Sequence, residues 1–260
     1  MTFELILLGL FVGAITGVTG ASGVLMLVPI LTTFFDMPLH IILGTSLMVD
    51  VIASIAVSIA YFKNKNLNIK GSLWLIIGAL IGAQIGSLYV IGVSKIFIIV
   101  ILALCMVFFG VEMWLSGSTK KQHKQLILPD HVSESLKTPA GMIISGLVIG
   151  FLTGLFGAGG GLSVFIILYS FLRFPIKKAI GTSSFVMLLT AMSGVIGYAH
   201  HGNLDVTLGL TLGVSAAVGG AISSVLANRI NEKLLARLIG AFFVFMAVVM
   251  IILKVLAPYI

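Results

Sequence analysis

The stretch Gly150-Phe-Leu-Thr-Gly-Leu-Phe-Gly-Ala-Gly-Gly-Gly161 breaks an apolar run with glycines, and a near copy stands earlier as Gly13-Ala-Ile-Thr-Gly-Val-Thr-Gly-Ala-Ser-Gly23. Thr16, Gly17, Gly20, Ala21 and Gly23 return as Thr153, Gly154, Gly157, Ala158 and Gly160, each 137 positions on. Consecutive glycines at Gly159, Gly160 and Gly161 cost a helix about 1 kcal/mol each, more than close packing demands. The chain is therefore read as carrying a duplicated, broken apolar helix.

Working outward, the same offset holds without a gap. Pro38 maps onto Pro175, Gly44-Thr45-Ser46 onto Gly181-Thr182-Ser183, Tyr61 onto Tyr198, and Asn66-Leu67 onto Asn203-Leu204. Shared apolar composition pairs Leu with Leu by accident, but it does not align prolines, Gly-Thr-Ser triplets and tyrosines at one fixed spacing.

Of the 260 residues, 59% are apolar and only 9% charged, and the mean hydropathy is +1.23. Too little polar residue is present to cover a water-soluble domain. The apolar runs lack the two-residue alternation of barrel strands, so the expected class is an all-α integral membrane protein in contact with the lipid bilayer. A net charge of +7 is read as marking cytoplasmic faces, not as a nucleic-acid site. Cys105 is the only cysteine and lies inside an apolar run, which rules out a disulfide pair or a cysteine metal cluster. No motif calls for a cofactor or a metal. Glu4 near the start replaces the basic region of a cleaved signal, so the first helix is expected to be retained.

Apolar segments are expected over 3–19, 22–36, 40–62, 71–92 and 95–115, then over 139–157, 160–173, 177–200, 206–227 and 233–256. This makes residues 1–115 a first membrane repeat, 116–138 a cytoplasmic linker and 139–260 a second repeat. Suppose the first two segments of each half return to the side they left, either as a re-entrant hairpin or as two full crossings. With the linker in the cytoplasm, every Lys and Arg except Lys95 and Lys254 then faces inward. A single crossing by that pair leaves a nearly even split, which is no signal under the positive-inside rule. The halves are thus expected to be inverted, with both termini outside, each half opening on a Gly-broken hairpin. Inverted repeats around discontinuous helices are a recurrent plan of secondary transporters.

Where a helix restarts in lipid, its first amides lack partners and its dipole is positive. Glycine lets a ligand approach that backbone closely. Two such starts, at Gly20, Ala21, Ser22 and Gly23 and at Gly157, Gly159, Gly160 and Gly161, would form a cradle for a small oxyanion. The hydroxyls of Thr45, Ser46, Thr182 and Ser183 would complete it, although serine and threonine also bond back to their own helices without any ligand. Asp50 stands near mid-membrane, with Met187 at the matching place, and is a candidate for a coupling proton or sodium ion. Gln84 is a weaker candidate of the same kind, and His200, His201 and Asp205 read as a loop at a span end.

The tandem segments Thr16-Gly17-x-x-Gly20-Ala-x-Gly23 and Thr153-Gly154-x-x-Gly157-Ala-Gly-Gly-Gly161, with the following Gly-Thr-Ser triplets, resemble the TauE/SafE family of membrane permeases. The resemblance covers nearly the whole chain outside the linker. It implies transport of sulfur-containing anions such as sulfite, thiosulfate or organosulfonates across a prokaryotic plasma membrane, for uptake or export. Ser22 and Val24 depart from the second hairpin's Gly159 and Gly161, which puts a symmetric cradle in doubt. An anion channel is an alternative. A further one is a rhomboid-like intramembrane serine protease, since Gly20-Ala21-Ser22-Gly23 fits a Gly-x-Ser-Gly nucleophile pattern. No histidine falls mid-membrane to activate that serine, so catalysis is not expected. A homodimer is compatible with a carrier of this size, but nothing in the sequence requires one.

Overall fold

A computed structural model describes residues 2–34, 37–88, 95–116, 138–156, 160–200 and 202–252. The described residues contain helices and no strand. The helices are α1 (Thr2–Thr19), α2 (Val24–Phe34), α3 (Leu39–Lys63), α4 (Ile69–Leu88), α5 (Lys95–Ser116), α6 (Pro139–Phe156), α7 (Gly160–Ile166), α8 (Ile176–His200), α9 (Val206–Arg229) and α10 (Glu232–Ile251). A π-helical turn, Ile167–Phe171, extends α7. Each expected apolar segment has a helix within it, while the expected linker, apart from Ser116 and Thr138, lies outside the described residues.

Local chemistry sets several of these limits. Pro38 precedes α3 and supplies the carbonyl for the Ile41 and Ile42 amides, and Pro175 does the same for Ala179 ahead of α8. After both long helices the chain turns through the left-handed region, at Lys65 (φ 59°) and Gly202 (φ 68°). Asn231 caps α10 by accepting the Lys233 amide.

The chain forms two compact units that do not follow its halves. One unit comprises Met1–Leu88 with Leu128–Arg229, and its described helices are α1–α4 and α6–α9. Within it α1 packs on α9, α4 on α6, and α3 on both α8 and α9. Glycines allow the first two pairs to touch backbone to backbone. A Cβ at Gly13 or Gly219 would collide with the Ala216 or Leu10 carbonyl, and one at Gly78 or Gly150 with that of Ile143 or Ala79. The other unit comprises Tyr89–Ile127 with Ile230–Ile260, in which α5 packs on α10 where Gly110 meets Gly240.

Many contacts in the first unit come in exchanged pairs. Gly44 packs under Tyr198 against the Asn203 carbonyl, and Gly181 packs under Tyr61 against the Asn66 carbonyl. Thr45 Oγ1 accepts the Asp205 amide at 3.0 Å, and Thr182 Oγ1 accepts the Asn68 amide at 3.2 Å. In each pair one contact becomes the other when its first-half residue advances by 137 and its second-half residue retreats by 137.

Polarity runs opposite to that of a water-soluble domain. Phe3, Leu7 and Phe11 of α1, Ile55 and Ile59 of α3, and Val214, Val218 and Ile222 of α9 are exposed, while Thr16, Ser22, Asp50, Ser54 and Ser184 are buried. An apolar exterior around polar buried groups suits a hydrocarbon solvent. Three described helices, His40–Lys63, Ile176–His200 and Val206–Arg229, are long and apolar enough to cross a membrane. In contrast, α2 rises about 16 Å, and α7 with its π turn about 18 Å, well short of a hydrocarbon core about 30 Å thick.

Candidate functional site

The first hairpin ends α1 through Gly20, whose φ of +67° is left-handed and whose amide still reaches the Thr16 carbonyl at 2.8 Å. Each following polar group is assigned in turn. The Ala21 amide donates to Thr19 Oγ1 at 3.0 Å, and the Val24 amide to Ser22 Oγ at 3.2 Å. Asp50 reaches across from α3 and takes two donors of the α2 start: the Gly23 amide at 2.9 Å on Oδ1 and the Ser22 hydroxyl on Oδ2. Asp50 is 2% exposed. Its carboxyl thus acts as an N-cap supplied from another helix. The Ser22 amide is left without a hydrogen bond among the described residues.

At the tip of the second hairpin, between Phe156 and Gly160, the expected site residues Gly157 and Gly159 lie outside the described residues. Gly161 nevertheless shows what it faces. A side chain there would meet the Gly20 carbonyl, the Met187 sulfur and the Ser22 amide. The start of α7 therefore lies directly against the tip of the first hairpin. Gly20 rests in turn on α8, where the Ser183 hydroxyl shares its proton between the Gly20 carbonyl at 3.3 Å and its own Ile180 carbonyl at 3.0 Å.

The hydroxyls expected to line one cradle divide into two sets. Ser183 touches the first hairpin, whereas Thr45 and Thr182 turn to the loops that follow α8 and α3. Ser46 is fully buried, and its hydroxyl has no hydrogen-bond partner among the described residues. The Gln84 and Cys105 side chains and His201 lie outside the described residues. His40 and His200 are exposed, and Asp205 caps α9 through the Leu208 amide at 2.9 Å. The hydroxyl of Ser22 donates to Asp50, not to a histidine.

Two features escaped the reading of the sequence. Tyr61 donates to the Gly17 carbonyl at 3.0 Å, which ties α3 to the broken part of α1. Ser54 and Ser58 join Ser46 as buried hydroxyls without partners among the described residues. The signal for the serines was present as a four-residue spacing through Asp50, but whether such serines bond back to their own helix cannot be read from spacing.

A family model described as "Sulfite exporter TauE/SafE" matches residues 5–250. Among curated proteins, the "Probable membrane transporter protein YunE" of Bacillus subtilis is 30% identical over 221 residues, 77% of this chain and 79% of its own length. The "Probable membrane transporter protein MJ0441" of Methanocaldococcus jannaschii is 30% identical over 199 residues, 75% of this chain and 71% of its own. The "Probable membrane transporter protein YdhB" of Bacillus subtilis is 28% identical over 214 residues, 78% of this chain and 81% of its own. No solved structure matches the chain.

Proposed function

Because the chain belongs to the sulfite exporter TauE/SafE family of membrane transporters, we propose that it is a secondary carrier for a small sulfur-containing oxyanion, of the sulfite, thiosulfate or organosulfonate class. The observation that carries this reading is the meeting of Gly161 with the Gly20 carbonyl and the Ser22 amide. Backbone from two broken segments converges there, and the Ser22 amide has no partner among the described residues. Backbone groups at Gly20, Ala21, Ser22 and Gly23 and at Gly157, Gly159, Gly160 and Gly161 hold the anion, with Thr45, Ser46, Thr182 and Ser183 around them. Ser22 is the donor nearest to hand, since the Gly23 amide is already engaged by Asp50.

The mechanism is alternating access between two inverted halves, residues 1–115 and 139–260. Exchanged contacts at a 137-residue offset support the two-fold relation, and the two short hairpin helices support re-entrant segments. Thr45, Ser46, Thr182 and Ser183 are fully buried, so an anion reaches them only after the protein opens. The inward skew of Lys and Arg supports placing both termini outside and the linker in the cytoplasm. Bacterial and archaeal relatives support a prokaryotic plasma membrane.

Purified protein in liposomes should take up labelled sulfite, thiosulfate or a two-carbon sulfonate with saturable kinetics, and chloride and acetate should not compete. Preloaded unlabelled substrate should accelerate entry, as a carrier requires and an open channel does not. Folded, inserted protein that moves none of these sulfur oxyanions would remove the substrate class.

A further inference from the structure

Helix α3 carries Ser46, Asp50, Ser54 and Ser58 at steps of four residues, on one slowly drifting face. All four are buried, none more than 5% exposed. The hydroxyls of Ser46, Ser54 and Ser58 have no hydrogen-bond partner among the described residues. Elsewhere in the molecule the buried serines Ser72, Ser184, Ser215 and Ser224 return their proton to a carbonyl three or four residues back. A buried hydroxyl left unpaired forfeits its hydration with nothing in return. Three of them in line with a carboxyl make an expensive arrangement unless water completes it.

The geometry suits water. Successive positions rise about 6 Å along the helix, a little over twice an O–H···O hydrogen bond of about 2.8 Å, so one water spans each step. The 137-residue counterparts on α8 are Ser183, Met187, Ala191 and Val195, and only the first is polar. The polar line thus belongs to α3 alone. A hard metal cation requires several oxygens converging within about 2.5 Å, which oxygens strung about 6 Å apart on one helix do not provide. A proton relayed through water needs only a chain.

We propose that this face of α3 is a hydrated proton path that loads and unloads the Asp50 carboxyl from the Lys63 end of the helix through Ser58 and Ser54. A hydronium in the path gives its proton to an Asp50 oxygen and becomes water. Neutral Asp50 is a weaker acceptor than the carboxylate, so the Gly23 amide and the Ser22 hydroxyl are released for an incoming anion. Loss of the proton to water restores the cap. One proton therefore moves with each anion, a coupling that rests on the carrier reading above.

Ionisable groups on the packed helices lie at helix ends, away from Asp50. They are Glu4 on α1, Lys177, Lys178, Tyr198 and His200 on α8, and Arg229 on α9, while α2 has none. On α3 itself they are His40, Tyr61 and Lys63. Among the described residues only Ser22 and Gly23 hydrogen-bond to Asp50.

The test uses the full chain in liposomes with Cys105→Ala as background. Ser54→Cys and Ser58→Cys are compared with Ile55→Cys and Ile59→Cys, whose side chains are exposed on the apolar exterior. Silver ion is the probe, read as protection of the thiol from later maleimide labelling in denaturant. Protection at 54 and 58 at least tenfold faster than at 55 and 59 is expected, and equal rates overturn the path. In the second arm, the Ser54→Val/Ser58→Val double variant should lower the ratio of proton-driven net uptake to one-for-one exchange at least tenfold, and an unchanged ratio also overturns it. If silver discriminates but no sulfur oxyanion moves, the substrate reading falls and the path stands. If the oxyanion moves but silver does not discriminate, the path falls and the carrier stands.

Discussion

Helices α3 and α8 each have 25 residues, begin just after a proline, and carry Gly-Thr-Ser at matching places. Where they face the opposite half they behave alike: each glycine sits beneath the other's tyrosine, and each threonine accepts an amide from the other's following loop. Where they face the hairpins they part. Asp50 caps α2 through the Ser22 hydroxyl and the Gly23 amide, while Met187 places its sulfur beside Gly161. Ser54 and Ser58 stand opposite Ala191 and Val195 in the alignment of the two helices. The shared residues hold the helices together, and of the unshared ones Asp50 and Met187 face the two hairpins with different chemistry.

The largest effect should come from filling the meeting point of the hairpins. In Gly161→Val the new side chain collides with the Gly20 carbonyl and the Met187 sulfur. Overpacking of this kind costs about 1–3 kcal/mol, and more where backbone cannot yield. Flux should disappear and monodisperse yield should fall. Normal values of both would show that the tips do not meet there.

Asp50→Ala should come next, because it strands the Ser22 hydroxyl and the Gly23 amide at about 1–3 kcal/mol each. The volume-conserving Met187→Leu should cost less than about 1.5 kcal/mol. Thermal unfolding in detergent compares the two directly, and equal losses would break the contrast between the helices. Thr45→Val and Thr182→Val should then each cost about 1 kcal/mol, by loss of one amide hydrogen bond apiece. Clearly unequal values would show that the exchanged contacts are not equivalent. Ile55→Ala, on the exposed apolar face, should change stability by less than about 0.5 kcal/mol. A larger loss would mean that this face is covered.

Much of the framework could be read from apolar run length and turn residues. Segments expected at 40–62 and 177–200 are the helices Leu39–Lys63 and Ile176–His200. The segment expected from 22 begins as a helix only at Val24, since Asp50 caps the chain at Gly23 and no sequence window around residue 22 contains that partner. The grouping of Thr45 with Ser46 and of Thr182 with Ser183 was legible as a repeat. Their different directions were not, because adjacent positions on a helix point about 100° apart.

By itself the sequence determined that this is a helical membrane protein, where its apolar segments lie, that a broken motif recurs at 137 residues, and that the chain resembles the TauE/SafE family. Those conclusions rest on composition and spacing along the chain, which are local or additive properties. Only the tertiary structure decided that Asp50 occupies the first helix start, that Gly161 lies against Gly20 and Ser22, and that among the described residues the serines of α3 lack partners while those of α8 and α9 do not. Hydrogen-bond satisfaction and close approach depend on which groups from distant segments arrive at one point. That is settled by packing and not by order along the chain.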